Sequence, residues 1–421
     1  MKFCLPYFLI LILFLAAPCS AQSDNVSVGI DITLPFQTVK FQALSGNWNV
    51  NLYPLTPGTQ KASSTERIFG NINKEKVTEY IVPGEDVSLL LVAKGIVARV
   101  SSEKDVDKGF DSVILEGGDL ISIEIPETEP MIMEGVIQID NHDTTLSIIN
   151  RLSLEQFVVS SASVFGNVSS EIEAVKAYVI VARTKLRYLK ENNKHLNELY
   201  EICNTPHCMP FKGCGANRQM VSLLAEQTLD KVITYNGKII NPRFHHTCGG
   251  KISSAKSVYG VDNEPYHPSH NDLKDSEGSE NCFHSPAFHW TAEFPKFDFM
   301  DFIAVAYAGG IQNFYVAFEP ETVDENGRIT HLLFRGKAPL FLPGYDFANR
   351  AHKHFGYNSL KSMRFNVTEM KRSFLFKGMG KGDGVGMCLY GCDGLAKKGM
   401  KAEDIIAFYY PGTRVEEIPA E

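Results

Sequence analysis

Residues 170–192 read SEIEAVKAYVIVARTKLRYLKEN, and this stretch decides the fold. Ile172, Val175, Val179 and Ala182 recur at helical spacing, which predicts one amphipathic helix from about 171 to 192. Ser170 and Glu173 have the spacing of a capping box, hydroxyl and carboxylate each satisfying a first-turn amide. Lys176 and Arg183 lie seven apart, so two cations project from one face of that helix. Just upstream, Leu154, Phe157 and Val158 begin another apolar helical face.

Before Leu152 the texture is different. Val26, Val28, Ile30, Ile32 and Leu34 alternate with smaller or polar residues, the period of a half-buried strand. Similar runs follow at 86–93, 96–101, 112–115 and 120–125. Runs at 136–139 and 146–149 flank Asn141-His142-Asp143 and read as a hairpin. After residue 200 the chain is rich in loops, with strands predicted at 231–240 and 311–318 and a helix near 402–408. The expectation is an α+β protein: a β-rich domain over 22–150, then a mixed helix-and-sheet domain over 151–415.

The first residues carry one positive charge at Lys2, an unbroken apolar run over 5–17, and the small residues Cys19-Ser20-Ala21. This is the layout of a secretory signal peptide over 1–21, so the expected location is periplasmic or extracellular, at the cell envelope. No later run is long enough to span a bilayer, so no membrane span is expected in the mature chain. The net charge of −8 argues against nucleic acid as a partner. Seven cysteines lie beyond the signal: Cys203, Cys208, Cys214, Cys248, Cys282, Cys388 and Cys392. In an oxidising compartment an odd count leaves a free thiol or a metal site.

Four segments then stand in a telling order. They are Glu173-Ala174-Val175-Lys176-Ala177 with Val181-Ala182-Arg183-Thr184; Cys203-Asn204-Thr205-Pro206-His207-Cys208; Phe244-His245-His246-Thr247-Cys248-Gly249-Gly250-Lys251 with Pro265-Tyr266 and Ser285-Pro286; and Gly382-Asp383-Gly384-Val385-Gly386-Met387 with Tyr390-Gly391 and Tyr409-Tyr410-Pro411-Gly412-Thr413. Over residues 130–415 this resembles the SpoIID/LytB family, the stage II sporulation protein D and amidase-enhancer proteins. The resemblance implies a partner, the glycan strands of peptidoglycan, and for some members a cell-wall amidase. Enzymes of the family are lytic transglycosylases. One glutamate protonates the leaving oxygen between N-acetylmuramic acid and N-acetylglucosamine, then assists attack by the muramic acid 6-hydroxyl. That chemistry needs one carboxyl able to serve as acid and then as base, and no cofactor.

Counting back from Lys176, the family's lysine, puts the family's glutamate at Phe165, and counting forward from Leu154 gives the same register. Phenylalanine can neither donate nor accept a proton. The expectation is a glycan-strand-binding protein degenerate at the catalytic acid, acting in wall remodelling or as an amidase enhancer. The alternative is a working transglycosylase with a displaced carboxylate: Glu171, Glu155 or Glu173. The resemblance makes Lys176 and Arg183 groove cations. Tyr178 stands where the family usually has glutamine, Asp383 where it commonly has histidine, and Lys381 where tryptophan is common; Cys388 and Leu389 replace serine and glutamine. With Tyr390, Tyr178 and Asp383 are expected to line the substrate site.

In some members residues like Cys203, His207 and Cys208 bind zinc, and His195 could add a fourth ligand. A structural zinc and a disulfide among Cys203, Cys208 and Cys214 are both open. Cys388 with Cys392, and Cys248 with Cys282, are further candidate bridges. His267, His270, His284 and His289, in one loop, are expected to be solvated.

Overall fold

The computed structural model describes residues 25–30, 38–54, 76–92, 95–100, 104–126, 128–142, 145–165, 168–205, 207–273, 280–308, 315–336, 338–356 and 358–419. The signal segment over 1–21 lies outside the described residues, as do Ile32 and Leu34 and the hairpin tip at Asp143. The chain is α+β. Twelve strands form one large sheet: β1 (Asn25–Ile30), β2 (Thr38–Ser45), β3 (Trp48–Pro54), β4 (Val77–Ile81), β5 (Asp86–Val92), β6 (Gly95–Val100), β7 (Lys104–Glu116), β8 (Leu120–Glu124), β9 (Met131–Met133), β10 (Val136–His142), β11 (Thr145–Ser153) and β12 (Ile202–Cys203). Their order is β12-β1-β11-β10-β7-β6-β5-β2-β8-β9, with β3 pairing β7 and β4 pairing β3.

Alternation of apolar and polar residues is what buries one face of this sheet, as the sequence predicts for β5 and β8 and as β2 repeats. Val39, Phe41 and Ala43 of β2, Val87, Leu89 and Leu91 of β5, and Ile121 and Ile123 of β8 are all buried. Where β3 breaks the pattern with buried Asn51, the amide finds partners: it donates to Glu116 at 2.8 Å and accepts from Thr78 at 2.9 Å.

Among the described residues the helices are α1 (Leu154–Phe165), α2 (Ile172–Glu191), α3 (Arg218–Gln227), α4 (Ala255–Tyr259), α5 (Lys296–Ala308), α6 (Gly344–Phe355), α7 (Leu389–Lys397) and α8 (Ala402–Tyr409). None is long and apolar enough to cross a membrane. β11 runs past residue 150 to Ser153 and leads straight into α1. β12 returns from far downstream to pair in parallel with β1, Val28 opposite Ile202 and Gly29 opposite Cys203. Sheet and helices α1, α2, α3, α7 and α8 share one hydrophobic core, running from Val26 to Tyr410.

A second core stands apart. Trp290, Phe294, Phe299, Phe302, Phe334, Phe347 and Phe376 pack together inside residues 289–379. This segment leaves along a strand at His289–Pro295 and returns along one at Ser373–Met379, paired antiparallel with His289 opposite Met379. Gly380 N–H donates to Phe288 O at 3.1 Å, so the exit and entry points touch.

The capping box expected at α2 is not formed. Glu171 is the N-cap and its side chain caps nothing; Glu171 N–H donates instead to Ser169 Oγ at 3.1 Å. The Glu173 carboxylate turns to the far end of the chain and accepts from Ala402 N–H, at the start of α8, at 2.9 Å. A carboxylate there meets the unpaired amides and positive dipole of the other helix.

Candidate functional site

Phe165 closes α1, and the position expected to carry the acid is buried, 3% exposed. Its ring packs on Tyr178 at 4.7 Å between centroids, and Tyr178 in turn meets Phe244 edge-on at 5.4 Å. Burial pushes the Tyr178 hydroxyl up to about 12, with Ser161 Oγ 3.5 Å away. Two departures from the family pattern, at 165 and 178, are therefore one contact: an aromatic pair stands where a carboxylate and an amide are expected. Tyr178 is a packing residue, 5% exposed, and does not offer a ring to a ligand.

The stand-in carboxylates are occupied, with one exception. Glu155 takes Arg183 in a two-pronged pair, at 2.6 and 2.8 Å. Glu173 holds the α8 amide and lies 3.9 Å from both Lys176 and Lys401. Glu171 alone is half-buried at an N-cap with no cap bond of its own.

Arg183 is a correction to the sequence reading. It does face the same side as Lys176, but it is 1% exposed. Beyond Glu155 its guanidinium donates to Thr228 O at 2.6 Å, Lys231 O at 3.3 Å and Ala225 O at 3.2 Å. All five N–H groups are used. The residue ties α2 to α1, to the end of α3 and to the strand that follows, and has nothing left for a sugar. Lys176 remains half-buried beside Glu173.

The glycine-rich tail over 380–388 lies against neighbours that leave no room for a Cβ. Gly384, at φ +77°, rests on the Arg328 guanidinium, and Gly386, at φ +71°, on Arg243 O. Asp383 is bound up in this support: it accepts from the Tyr259 hydroxyl and from Val385 N–H at 3.1 Å. Beneath it His245 is buried, its Nδ1 3.0 Å from Val385 O. Asp383 thus shapes the loop, and direct substrate contact by it is not what its bonds indicate.

Tyr390 fares differently. It is half-buried and packs on His246 at 4.9 Å and His284 at 5.4 Å. His284 Nε2 lies 2.7 Å from the buried carboxylate of Asp393. His246 Nδ1 meets Thr247 Oγ1 at 2.8 Å, which meets Ser285 Oγ at 2.6 Å. Burial, then the charges of Lys381, Lys212 and Lys361, hold His246 down at about 4. Tyr390 and His246 thus make an aromatic contact, with Lys381, Lys212 and Lys361 within electrostatic reach of His246. Of these the sequence singled out Tyr390 and Lys381; Lys212 and Lys361 carried no signal. Of the loop histidines, His267 is not solvated, being buried with Nε2 3.0 Å from Asn241 O, and His270 is half-buried against Phe408; His284 is exposed and pairs with Asp393.

The first cysteine segment gathers four ligand groups. His195 Nε2 lies 3.2 Å from Cys208 Sγ, and His207 Nδ1 lies 3.6 Å from Cys203 Sγ and 3.5 Å from Cys208 Sγ. A tetrahedral zinc with arms of about 2.3 Å to sulfur and about 2.0–2.1 Å to nitrogen has edges of about 3.3–3.8 Å. The separations of 3.2, 3.5 and 3.6 Å are close to that figure, and all four ligand atoms lie within 4.8 Å of one another. No disulfide joins them. Cys214 is elsewhere, 3.3 Å from Ser160 Oγ and 3.7 Å from Glu134. The pairing of Cys388 with Cys392 is also not made: Cys392 Sγ points at Ala174 O, 3.7 Å away, whereas Cys388 faces Cys248.

Comparison with known proteins gives the same direction as the motifs. Residues 142–235 match the family described as SpoIID, Stage II sporulation protein. An uncharacterized protein of Brachyspira hyodysenteriae is 24% identical over 65% of this chain and 69% of its own. The Stage II sporulation protein D of Bacillus amyloliquefaciens is 23% identical over 80% of this chain and 95% of its own. That of Bacillus subtilis is 22% identical over 68% and 80%.

Proposed function

We propose that this chain, a protein of the SpoIID family, is exported to the cell envelope and binds peptidoglycan glycan strands without cutting them. It acts there as a scaffold or as the enhancer of a cell-wall amidase. The observation that carries the reading is the burial of Phe165 on Tyr178, which fills the acid position with packed rings. The binding side is supported by the Tyr390–His246 aromatic contact and by the positive field that Lys381, Lys212 and Lys361 set up at His246. An aromatic face suits a sugar ring, and three cations suit the lactyl carboxylates of glycan stripped of its stem peptides.

Two experiments test this. On insoluble peptide-free glycan, wild type is expected to be retained, and Lys361→Glu/Lys381→Glu to lose about tenfold in affinity, as follows from reversing two rim charges. Retention is also expected to weaken as salt rises. If neither protein is retained, the binding reading is wrong. Digestion of the same glycan followed by mass spectrometry is expected to yield no 1,6-anhydromuramyl ends; their appearance would reject the non-catalytic reading and direct attention to Glu171.

We further propose a structural zinc on His195, Cys203, His207 and Cys208. It supplies a cross-link, not chemistry. Cys203 follows Ile202 in β12, and Asn204 N–H donates to Gly29 O at 3.1 Å, so the ion would fasten this loop to the first strand. Cys208→Ser is expected to lower bound zinc by one equivalent and to make the loop over 193–209 more susceptible to proteolysis. An unchanged metal content would reject the assignment.

A further inference from the structure

A second set of ligand groups lies within the main core. Cys248, Asp272, Cys282 and Cys388 are all buried, and their ligand atoms lie within 4.8 Å of one another. Cys248 Sγ is 3.4 Å from Cys282 Sγ and 3.0 Å from Asp272 Oδ2. The four come from four separate places: the turn after Phe244–His245, the end of a short strand at His270–Asn271, the loop before Trp290, and the residue that caps α7.

The surroundings are those of a metal site. Each sulfur receives backbone N–H groups. Gly250 N–H points at Cys248 Sγ at 3.2 Å, and both Cys248 N–H and Gly391 N–H point at Cys388 Sγ at 3.3 Å. Cys282 faces the amides of Gly249 and Gly250. These amides fix where the sulfurs sit and aim them at one point. The carboxylate is braced from behind. Tyr409 Oη donates to Asp272 Oδ1 at 2.8 Å and Asn281 Nδ2 donates to it at 3.1 Å, which leaves Oδ2 turned toward the sulfurs. Such outer bonds orient a ligating carboxylate. A Cβ at position 391 would stand 2.5 Å from Asp272 Oδ2 and 2.2 Å from Tyr409 Oη, so only glycine leaves the space open.

Binding a metal requires these groups to give up their protons, and three thiolates with a carboxylate in one dry pocket are then balanced by the cation itself. A disulfide between Cys248 and Cys282 would relieve two of them and strand Cys388 and Asp272. Their separation of 3.4 Å exceeds a sulfur–sulfur bond of about 2.05 Å. We propose that Cys248, Cys282, Cys388 and Asp272 hold a zinc ion in tetrahedral S3O coordination, as a structural cross-link between the histidine-bearing loop and α7. Zinc suits three thiolates and one carboxylate, has no geometric preference of its own, and is closed to substrate when all four positions are protein.

The test reads metal content of the full chain after loading with zinc and exhaustive dialysis. The variant Cys203→Ser/Cys208→Ser, which removes the other proposed site, is expected to keep one equivalent. If it keeps none, this proposal is overturned, whatever wild type holds. If wild type and that variant both hold one, this site stands and the one at Cys203 falls. Loading the same variant with cobalt(II) is expected to give the sulfur-to-cobalt charge-transfer absorption of a thiolate site, reduced by Asp272→Asn or Cys388→Ser. Alkylation of the unfolded, chelated protein without reductant is expected to label Cys248, Cys282 and Cys388 alike; a Cys248–Cys282 disulfide found instead overturns the proposal.

Discussion

Arg183→Ala is expected to destabilise the chain by about 3–5 kcal/mol, the cost typical of removing one partner from a buried ion pair. The substitution leaves Glu155 without its cation and takes one donor from each of Thr228 O, Lys231 O and Ala225 O. Those carbonyls end α3 and open the next strand, so three elements lose their common fastening at once. Arg183→Lys should recover little, because an ammonium cannot reproduce five N–H directions in a plane. Glu155→Gln keeps the shape and an acceptor oxygen and should cost less, about 1–2 kcal/mol. Urea denaturation followed by circular dichroism measures all three. Glycan retention, measured where the variant remains folded, should stay near that of wild type. A stable Arg183→Ala protein that no longer binds glycan would return Arg183 to the groove.

The second large effect concerns position 165. Phe165→Glu places a carboxyl against Tyr178 in a buried aromatic contact, which holds the acid well above the usual carboxylate range. The expected penalty at neutral pH is about 3–5 kcal/mol. Its pH dependence has a definite sign. Below about pH 4 the unfolded carboxyl is itself protonated and only the lost ring packing is felt. As pH rises the unfolded chain ionises first, so stability falls until the folded carboxyl ionises too. Adding Tyr178→Gln provides an amide partner and removes the second ring, and the double variant is expected to be more stable than the single one at pH 7. The pair should therefore be strongly non-additive. Additive losses would mean that the two positions do not share a pocket. Formation of 1,6-anhydromuramyl ends by the double variant alone would show that the groove around the lost acid is intact.

Much of the fold was legible because it rests on local periodicity. The alternation in β1, β5, β6, β8, β10 and β11 and the helical face of α2 were readable residue by residue. β2, β3 and β4 escaped, and in β3 the reason is visible: buried Asn51 breaks the alternation and is satisfied only by Thr78 and Glu116, partners outside its own strand. The second core escaped because α5 is apolar on all sides, KFDFMDFIAVAYA, and gives no helical stripe. The same limit governs the site. Arg183 looked like a groove cation because a sequence shows which face a charge is on, not what lies across from it; Glu155 is 28 residues away. Asp272 had no signal at all, since its meaning depends on sulfurs in three other segments.

The meeting of Phe288 and Gly380 has a further consequence. Residues 289–379 begin and end within one hydrogen bond of each other and carry their own core. Such an excursion can be removed with a short splice and the two cut ends need not move. It is nonetheless pinned to the rest by polar contacts: Asn326 donates to Ile252 O at 2.8 Å, Arg328 to Ser253 Oγ and Gly382 O at 3.2 Å, and Arg364 to Gly249 O at 2.6 Å. The chain is thus a frame with an inserted lobe, whose two ends meet and whose own core is buttoned to the glycine-rich tail and to Gly249 by arginines of the lobe.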